Sequence, residues 1–418
     1  MLQSAPVKDA GETVHGRVMR VLFVPVKLSV PPTNGQAIRT LSIIRALGSL
    51  GHELTFVSFA PTARPESIEP LPSYCRRIEL VEQDLPNMSE GANYARRAQS
   101  LVRGKPYSIE RFRSTRMRLK LAEYLAKEPF DLIFCDGIYP LVNVPETNTP
   151  IILNTHNVEY EIYKRYAEVE KSLLRRSYAR MEARLVESVE RDACERASLV
   201  LACSDKDAEA FRDLNSKVPV LVVPNCVDTD FFAPSQSSKH DDAAPVLLFQ
   251  GSMDWYPNRD AVEFFARSVL PKLRVQIPDV KFVVAGRNPS AEFVSVIAPL
   301  GVEFTGTVPD MRPYIESASI VVVPLRLGSG TRIKILEACA GGRAVVSTRI
   351  GAEGLDLRDG REVVMADTPD DMVTSIIALL RDPGRRDALA RAARNHVVER
   401  FSHLALQKSL QAAMNRLQ

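Results

Sequence analysis

The segment from Pro324 to Gly342 combines glycines, cations and a carboxylate within one short stretch. It follows a predicted strand and opens a predicted helix. Its loop would therefore present free backbone N–H groups and the positive end of the helix dipole at one point, which suits a phosphate. Four residues recur at 4-3-4 spacing and so share one helix face: Gly330, Lys334, Glu337 and Gly341. This spacing places an ammonium and a carboxylate together above the ends of the strands.

Positive charge is concentrated in the first turn of this helix, where the helix dipole disfavours it. Arg332 and Lys334 stand there without an acidic neighbour in the same turn, and an anionic ligand would remove the conflict. The alternative is that Lys334 and Glu337 form a solvated i,i+3 pair, which contributes ~0.2–0.5 kcal/mol. The residues expected to pack on the sheet recur at 3-4 spacing on another face: Ile333, Leu336 and Ala340.

Further candidates follow predicted strands in the N-terminal half. His156 comes directly after the apolar run Ile151–Leu153, so we expect it to point into a cleft, either at a reacting centre or hydrogen-bonded within its own loop. Glu159 either faces a ligand in the cleft or only begins the next helix. Gly35 lacks a Cβ and would let the loop after the first strand approach an anionic ligand closely. Arg39, one turn further on, would meet an anionic ligand or lie on the surface.

Alternating strand and helix patterns supply the framework for these residues. The apolar run at 20–25, the helical periodicity at 37–50 and the run at 54–57 make a βαβ unit, which indicates a parallel sheet. Further strands are predicted at 131–134, 151–153, 199–201 and 220–223, and a second series at 246–249, 281–286, 319–323 and 344–346. We therefore predict an α/β protein with two doubly wound Rossmann-like domains facing a central cleft. Such sheets bind ligands beyond the carboxyl ends of their strands.

The domain boundaries follow from local composition. Residues 1–17 are polar and predict a disordered tail, residues 18–233 an N-terminal Rossmann-like domain, and the polar, aperiodic stretch 234–245 a linker. Residues 246–400 predict a C-terminal Rossmann-like domain of similar size. Residues 401–418 predict a last helix that packs back on the N-terminal domain.

The composition narrows the class of protein. The chain has 418 residues, of which 45% are apolar and 25% charged, as in soluble globular proteins. Its 54 Lys and Arg against 51 Asp and Glu give a net charge of +3, too balanced for bulk charge to indicate nucleic-acid binding. The six scattered cysteines form no CxxC pair, and the six histidines show no metal-ligand spacing. The scattered cysteines fit a reducing compartment, and residues 1–16 are polar without a signal-peptide apolar stretch, so we expect a cytoplasmic protein. No apolar run approaches the ~20 residues of a membrane span.

Several of these segments together resemble a known family. Ser329–Gly342, followed by Ala344–Thr348 and Gly351–Gly354, resembles the nucleotide-sugar site of family 4 glycosyltransferases with the GT-B fold. The resemblance covers nearly the whole chain after the tail, through Asn225–Asp228, Phe231, Gly286, Gly306–Asp310 and Gly35. The block Gly251–Asn258 resembles a subgroup met in bacterial exopolysaccharide and other surface-glycan clusters.

The resemblance implies a nucleotide-diphospho-sugar donor held mainly by the C-terminal domain, an acceptor held by the N-terminal domain, and transfer with retention of anomeric configuration. In the family's E-x7-E motif, the second Glu binds the ribose hydroxyls and matches Glu337, whereas Ser329 stands where the first Glu contacts the donor sugar. Ser252 replaces an Arg that often touches the diphosphate, and Arg332 and Lys334 would supply the missing charge. The resemblance implies no cofactor. No Asp-x-Asp pair stands at a predicted strand end, so the sequence does not indicate a catalytic metal.

These inferences define the expected site. The expected catalytic residues are His156, Arg332 and Lys334. The donor is expected to contact Gly35, Gly251, Ser252, Gly286, Val308, Ser329, Gly330, Thr331 and Glu337. Arg39 and Glu159 are expected to contact the acceptor.

The expected reaction is transfer of a hexose-type sugar to a hydroxyl of a glycan or a lipid-linked glycan. Basic residues interleave with apolar ones at 96–120 and 164–185, which predicts peripheral contact with an anionic membrane or a phosphorylated, lipid-linked acceptor. A merely solvated charged face is the alternative. Nucleotide-sugar epimerases share the fold, so an epimerase remains an alternative, as does a non-catalytic sugar-nucleotide-binding protein, which Ser329 and Ser252 would suit.

Overall fold

The structure, a computed structural model, describes residues 17–28, 35–60, 71–83, 96–97, 99–100, 102–215, 217–235, 244–327 and 332–417. The expected tail lies outside these residues apart from Arg17, whose Nη2 lies 3.0 Å from Oδ1 of Asp131. Residues 236–243 of the expected linker also lie outside them.

The strands of the N-terminal domain are β1 Arg20–Pro25, β2 Glu53–Phe59, β3 Cys75–Val81, β4 Leu132–Asp136, β5 Ile151–Asn154, β6 Leu199–Ala202 and β7 Val220–Val222. They form a seven-stranded sheet in the order β3-β2-β1-β4-β5-β6-β7, and all neighbours are parallel. The central strands are apolar on both faces because helices cover both sides of a parallel sheet. The strand order reverses between β1 and β4, which end side by side at Pro25 and Asp136.

The helices of this domain are α1 Gly35–Ser49, α2 Tyr107–Glu110, α3 Thr115–Lys127, α4 Ile138–Leu141, α5 Glu159–Val169, α6 Leu173–Arg196 and α7 Asp205–Leu214. Ser114 and Ser204 cap α3 and α7, because each hydroxyl accepts a hydrogen bond from the backbone N–H three residues further on. The helices α5 and α6 pack along each other.

The C-terminal domain repeats this plan. Its strands are β8 Val246–Gln250, β9 Lys281–Ala285, β10 Val302–Gly306, β11 Ile320–Val323, β12 Val345–Ser347 and β13 Val364–Met365. Its helices are α8 Tyr256–Phe264, α9 Leu270–Gln276, α10 Ala291–Ile297, α11 Arg312–Ser317, α12 Ile333–Ala340, α13 Pro369–Arg381 and α14 Pro383–Phe401. The six parallel strands lie in the order β10-β9-β8-β11-β12-β13. The prediction of two doubly wound α/β domains is confirmed.

The last helix, α15 His403–Asn415, lies against the N-terminal domain. Leu406, Leu410 and Met414 are buried in the same apolar core as Ile44 of α1 and Val21 of β1. The end of the chain therefore contributes to the core of the first domain, although it follows the second domain in sequence.

Three strands, β3, β10 and β13, were not expected from the sequence. They are the edge strands of the two sheets, apart from β7. β3 includes the exposed Arg76 and Arg77, and β13 has only two residues. Such strands lack the continuous apolar run that marks a strand buried on both faces of a parallel sheet.

Candidate functional site

A cavity of about 360 Å³ lies between the two domains. The N-terminal domain contributes Gly35, the first residue of α1, and the C-terminal domain contributes the loops after β8, β9 and β11 and the start of α12. Among the described residues that line this interdomain cavity, three are cations and none is acidic: Arg287, Arg332 and Lys334. The cavity is therefore suited to an anion at the carboxyl ends of the strands.

Lys334 lies in the first turn of α12 and lines this cavity. Its Nζ donates a hydrogen bond to Oδ1 of Asn258 at 2.8 Å and lies 4.2 Å from the ring centre of Phe249. Burial and the neighbouring Arg332 lower the pKa of Lys334 to about 7. Burial also lowers the pKa of Arg332 to about 10. Both cations are poorly solvated, so an anion bound beside them would favour their charged forms.

Two of the expected glycines have a packing reason to be glycine. A Cβ on Gly251 would lie 2.8 Å from Nζ of Lys334 and 2.9 Å from Nδ2 of Asn258. A Cβ on Gly286 would lie 1.9 Å from the carbonyl oxygen of Gly251. The loops after β8 and β9 therefore lie against each other, and the ammonium of Lys334 reaches the backbone of the first of them.

The side chain of Ser252 is hydrogen-bonded to a cation from the loop after β9. Nε of Arg287 donates to Oγ of Ser252 at 3.2 Å, and that hydroxyl donates to Oδ2 of Asp254 at 3.1 Å. Arg287 follows β9 by two residues and lines the interdomain cavity. A guanidinium thus lies beside Ser252, the position at which the resemblance leads us to expect an arginine.

Glu337 lies one turn beyond Lys334 on α12. Its Oε2 accepts a hydrogen bond of 2.8 Å from Nε2 of Gln250, which also donates to the carbonyl oxygen of Lys334 at 2.9 Å. Burial raises the pKa of Glu337 to about 7, against the opposing effect of Lys334. Glu337 does not line the interdomain cavity; it lines a smaller cavity of about 140 Å³, together with Ile333, Cys226, Asp228 and His403.

Ile333 does not pack on the sheet as expected. It is half-buried and lines the interdomain cavity, and a Cβ on Gly35 would lie 3.2 Å from its Cδ1. The buried residues of α12 are Ile335, Leu336, Ala338, Cys339 and Ala340. The helix begins at Ile333 itself, so this side chain lies at the end of the helix and reaches the opposite domain.

His156 is paired with an aspartate on the neighbouring strand. Its Nε2 lies 3.0 Å from Oδ1 of Asp136, the last residue of β4. Oγ1 of Thr40 donates to Oδ2 of Asp136 at 2.5 Å, and Nδ2 of Asn154 donates to Oδ1 at 2.6 Å. Burial opposes the ionisation of Asp136, but His156 and these two donors lower its pKa overall. Asp136 is therefore a buried, ionised partner that orients the imidazole.

Glu159 begins α5 close to this pair. Its Oε2 accepts a hydrogen bond of 2.8 Å from the hydroxyl of Tyr139. Burial raises the pKa of Glu159, against the opposing effects of Tyr139 and His156. Tyr139 itself lines a larger cavity in the N-terminal domain, so Glu159 lies behind the wall of that cavity. Contact between Glu159 and an acceptor stays a prediction.

The expectation that Arg39 contacts an acceptor is wrong. Arg39 is only 2% exposed, and its Nη1 donates to the carbonyl oxygen of Val223 at 2.7 Å and to Oδ1 of Asn225 at 3.1 Å. Its Nη2 donates to Oδ1 of Asn154 at 2.6 Å. Because Asn154 also binds Asp136, the guanidinium belongs to the network that joins the strand ends behind the histidine.

The remaining residues expected to contact the donor either do not line the interdomain cavity or lie outside the described residues. Val308 is half-buried in the loop after β10 and does not line the interdomain cavity. Ser329, Gly330 and Thr331 lie outside the described residues. The consequence of Ser329 for sugar recognition therefore stays a prediction.

Four residues that the sequence analysis did not single out take part in these contacts: Asp136, Gln250, Asn258 and Arg287. Asp136 and Gln250 end β4 and β8, and Arg287 follows β9. The rule that ligands lie beyond the carboxyl ends of parallel strands could have indicated these three. Asn258 carries no such signal because it lies within α8.

An ion-pair cluster joins the two domains. Glu353 of the C-terminal domain pairs with Lys206 of α7 and with Arg165 of α5, whose Nη1 lies 3.3 Å from Oε2 of Glu353. Burial favours the neutral form of Glu353, but these two cations lower its pKa overall. Because α5 begins three residues after His156, the cluster couples the histidine loop to the C-terminal domain.

The described part of the chain has no cluster of metal ligands, no disulfide and no helix suited to cross a membrane. Within the described ranges, no group of three or more His, Cys, Asp or Glu side chains could hold a metal ion. All six cysteines lie in the described part of the chain as buried thiols without a disulfide. No helix among the described residues has both the length and the apolar character needed to cross a membrane.

Two family models match the chain. The model described as Glycosyltransferase Family 4 matches residues 33–231, and the model described as Glycosyl transferases group 1 matches residues 244–382. The two matches do not overlap, and together they span most of both domains.

The chain is similar to proteins from several bacteria. It is 22% identical over 364 residues to the uncharacterized 44.6 kDa protein in the cps region of Klebsiella pneumoniae, covering 83% of this chain and 87% of that one. Sucrose-phosphate synthase from Thermosynechococcus elongatus has a TM-score of 0.71 at 17% identity. The match covers 95% of this chain and 99% of the synthase chain. Anabaena HepE, solved in complex with UDP-glucose, has a TM-score of 0.64 at 14% identity. The match covers 95% of this chain and 100% of the HepE chain.

The two sheets with their strand orders, the structural likeness and the paired family matches lead to one assignment. The chain belongs to the family 4 glycosyltransferases with the GT-B fold, and its C-terminal domain is of the group 1 type.

Proposed function

We propose that the chain is a retaining glycosyltransferase that moves a hexose-type sugar from a nucleotide-diphospho-sugar to a hydroxyl of a glycan or a lipid-linked glycan. The observation that carries this proposal is the interdomain cavity, where Arg287, Arg332 and Lys334 surround the start of α12. The complex of Anabaena HepE with UDP-glucose supports a nucleotide sugar as the donor. The family matches do not favour the epimerase or the non-catalytic binding protein.

In this proposal the diphosphate lies at the N-terminus of α12. Backbone N–H groups and the three cations would stabilise the negative charge that develops on it. The ribose would lie about one turn further along α12, beside Glu337. The reaction would then need no divalent metal, because side chains supply the charge that a metal supplies elsewhere.

The proposed chemistry is a front-face displacement at the anomeric carbon. The bond from the anomeric carbon to the diphosphate oxygen breaks, and its electron pair leaves with the diphosphate through an oxocarbenium-like transition state. The acceptor oxygen bonds to the same face of that carbon, and its proton passes to the departing phosphate oxygen. His156, oriented by Asp136, would lie at this reacting centre, and closure of the two domains would align the reactants.

We further propose that the enzyme works at an anionic membrane surface on the cytoplasmic side, in the synthesis of a bacterial surface glycan. The start of α6 supports this setting, because Leu173 is 70% exposed and Leu174 is 84% exposed there. Lys171, Arg175 and Arg176 flank these leucines and are suited to anionic headgroups.

The direct test is a ligand screen followed by product analysis. Thermal unfolding would be measured with a series of nucleotide diphosphates and their sugars, because a ligand of the folded state raises its apparent stability. The stabilising nucleotide sugar would then be supplied with membrane lipids and saccharide acceptors, and the anomeric configuration of the product would be determined by NMR. We expect a glycoside of retained configuration. An inverted product, or epimerisation of the donor without an acceptor, would contradict the proposal.

A further inference from the structure

The N-terminal domain contains a cavity that no assigned role explains. Its volume is about 870 Å³, within the roughly 300–1,000 Å³ of small-molecule sites. Six of its lining residues are aromatic: Tyr107, Phe112, Tyr139, Tyr163, Tyr166 and Tyr178. We call it the aromatic cavity. Aromatic faces carry partial negative charge and suit the C–H face of a sugar ring.

The aromatic cavity also carries net positive charge. Arg97, Arg111 and Arg175 line it, against Glu182 as the single acid among its described lining residues. Glu182 is 1% exposed, and its Oε1 already accepts the backbone N–H of Ser108 at 2.9 Å. The carboxylate therefore serves the fold, and the cavity presents cations to a ligand.

A second cavity of about 530 Å³ adjoins the first, since Tyr107 and Arg111 line both. Its other cations are Arg96, Arg103, Lys105 and Arg113. Glu110 is the single acid among its described lining residues and accepts two hydrogen bonds from Arg113, at 2.8 and 3.0 Å. We call this cavity the basic groove. Guanidinium and ammonium groups at this density match the oxygens of a phosphate.

The aromatic cavity also adjoins the proposed reacting centre. Gln36 lines it, and the preceding residue, Gly35, lines the interdomain cavity. Tyr139 lines it as well and donates to Glu159, which lies in the electrostatic field of His156. A sugar in the aromatic cavity would therefore have one edge toward the donor and the other toward the basic groove.

We infer that the aromatic cavity and the basic groove together form the acceptor site, and that the acceptor is a saccharide carrying a phosphate or diphosphate ester. The sugar ring lies in the aromatic cavity with a hydroxyl toward the donor, and the phosphate lies in the basic groove. This inference rests on the proposed function, which it deepens by naming the acceptor class.

The test compares charged and neutral saccharides on variants of the full-length chain. Binding of glucose 1-phosphate and of methyl glucoside would be measured by calorimetry on the parent and on the double variant Arg103→Gln/Lys105→Gln. Arg118→Gln is the matched control, since it removes an exposed cation of α3 outside both cavities. We expect glucose 1-phosphate to bind at least tenfold more tightly than methyl glucoside, and the double variant to remove that difference.

A second variant tests the aromatic cavity. Tyr166→Leu replaces a 44% exposed ring with an apolar side chain, so folding should be preserved. We expect it to weaken binding of both saccharides by about the same factor. Equal binding of the charged and neutral saccharides by the parent, or a double variant that binds like Arg118→Gln, would overturn the inference.

Two sources of the phosphate are separated by a further pair of probes. Soluble glucose 1-phosphate represents a free sugar phosphate, and a prenyl-diphosphate glucose in detergent micelles represents a lipid-linked one. A loss with the double variant in either arm supports the site, and the arm with the tighter binding names the source. Binding that the double variant leaves unchanged in both arms would overturn it. Nucleotide-diphosphate binding, measured in parallel, should be unchanged in every variant, and its absence from the parent would instead refute the donor assignment.

Discussion

Nε2 of His156 lies 3.0 Å from Oδ1 of Asp136. Asp136 is the last residue of β4, and His156 follows the neighbouring parallel strand β5 by two residues. Asp136 is 1% exposed and is held by hydrogen bonds from Thr40 and Asn154. The carboxylate is therefore fixed by the core, and the imidazole takes its orientation from it. The pair connects the buried centre of the first sheet to the face on which we place the reaction.

We predict that His156 acts in turnover and Asp136 acts through it. His156→Ala should lower kcat with little change in nucleotide-diphosphate affinity, because we place the nucleotide on the other domain. Asp136→Asn keeps the size but loses the charge, and should lower kcat by about 10²-fold, the low end of what a positioned acid–base group contributes. Steady-state kinetics and calorimetry would separate the two quantities. Parental activity of the His156→Ala enzyme would mean that His156 has only a structural role in its loop.

Glu337 is predicted to bind the ribose. Two hydroxyls donating to one carboxylate make charge-assisted hydrogen bonds of roughly 1.5–3 kcal/mol each. Glu337→Ala should therefore weaken nucleotide-diphosphate binding by about one to three orders of magnitude, and Glu337→Gln by less. Glu303→Ala, which removes an exposed carboxylate of β10, is the control. Parental affinity in Glu337→Ala would mean that the carboxylate only holds Gln250 and Lys334.

Substitution of Ser329 should alter sugar preference and leave nucleotide binding nearly intact.

Donor affinity should depend on pH with a maximum near neutrality. Lys334 has a pKa of about 7 in the free protein, and a bound diphosphate raises that pKa by opposite charge. Above pH 7, binding must then take up a proton, so affinity should fall by up to about tenfold per pH unit. Lys334→Arg stays charged and should flatten this limb.

The acidic limb of the same profile tests Glu337. Its pKa of about 7 in the free protein should fall when ribose hydroxyls donate to the carboxylate, so below pH 7 binding must release a proton and affinity should fall. Glu337→Gln does not titrate and should flatten this limb alone. Calorimetry of the nucleotide sugar in buffers of different ionisation enthalpy would count the protons. A flat parental profile from pH 6 to 9 would contradict both assignments.

Transfer should not depend on a divalent metal. Arg287, Arg332 and Lys334 already place three positive groups around the expected diphosphate. Activity after treatment with excess chelator should stay near the untreated value. A loss that Mg²⁺ or Mn²⁺ restores would show that the cations do not suffice.

The exposed start of α6 should hold the enzyme on anionic membranes. Leu173→Ser removes one exposed apolar side chain and should lower the bound fraction on anionic liposomes, by about tenfold in partition coefficient if the side chain inserts. Val275→Ser, at an 83% exposed valine of the other domain, is the control. Flotation would be compared at low and high salt. Equal recovery with neutral and anionic liposomes would indicate a solvated face and a soluble acceptor.

Local pattern was enough to predict much of this protein. The apolar runs and helical spacings predicted the two doubly wound domains, because hydrophobic periodicity is set residue by residue along the chain. The Gly-rich junction before Ile333 and its cations were likewise visible as a strand-to-helix connection that suits an anion. The edge strands β3, β10 and β13 were not predicted, because half-exposed or very short strands carry little of that periodic signal.

The roles of Arg39, Ile333 and Asp136 were decided only by the tertiary structure. Arg39 reaches Asn225 and Asn154, and Asp136 reaches Thr40, across at least 96 positions of sequence. Such contacts depend on which strands are neighbours in the sheet, and no local spacing encodes that order. The lowered pKa of Lys334 and the raised pKa of Glu337 arise from burial between packed elements. The sequence by itself determined which chemical groups were available and on which kind of element they lay. Packing determined which of them meet at the cleft, because burial and distance exist only once the sheets have formed.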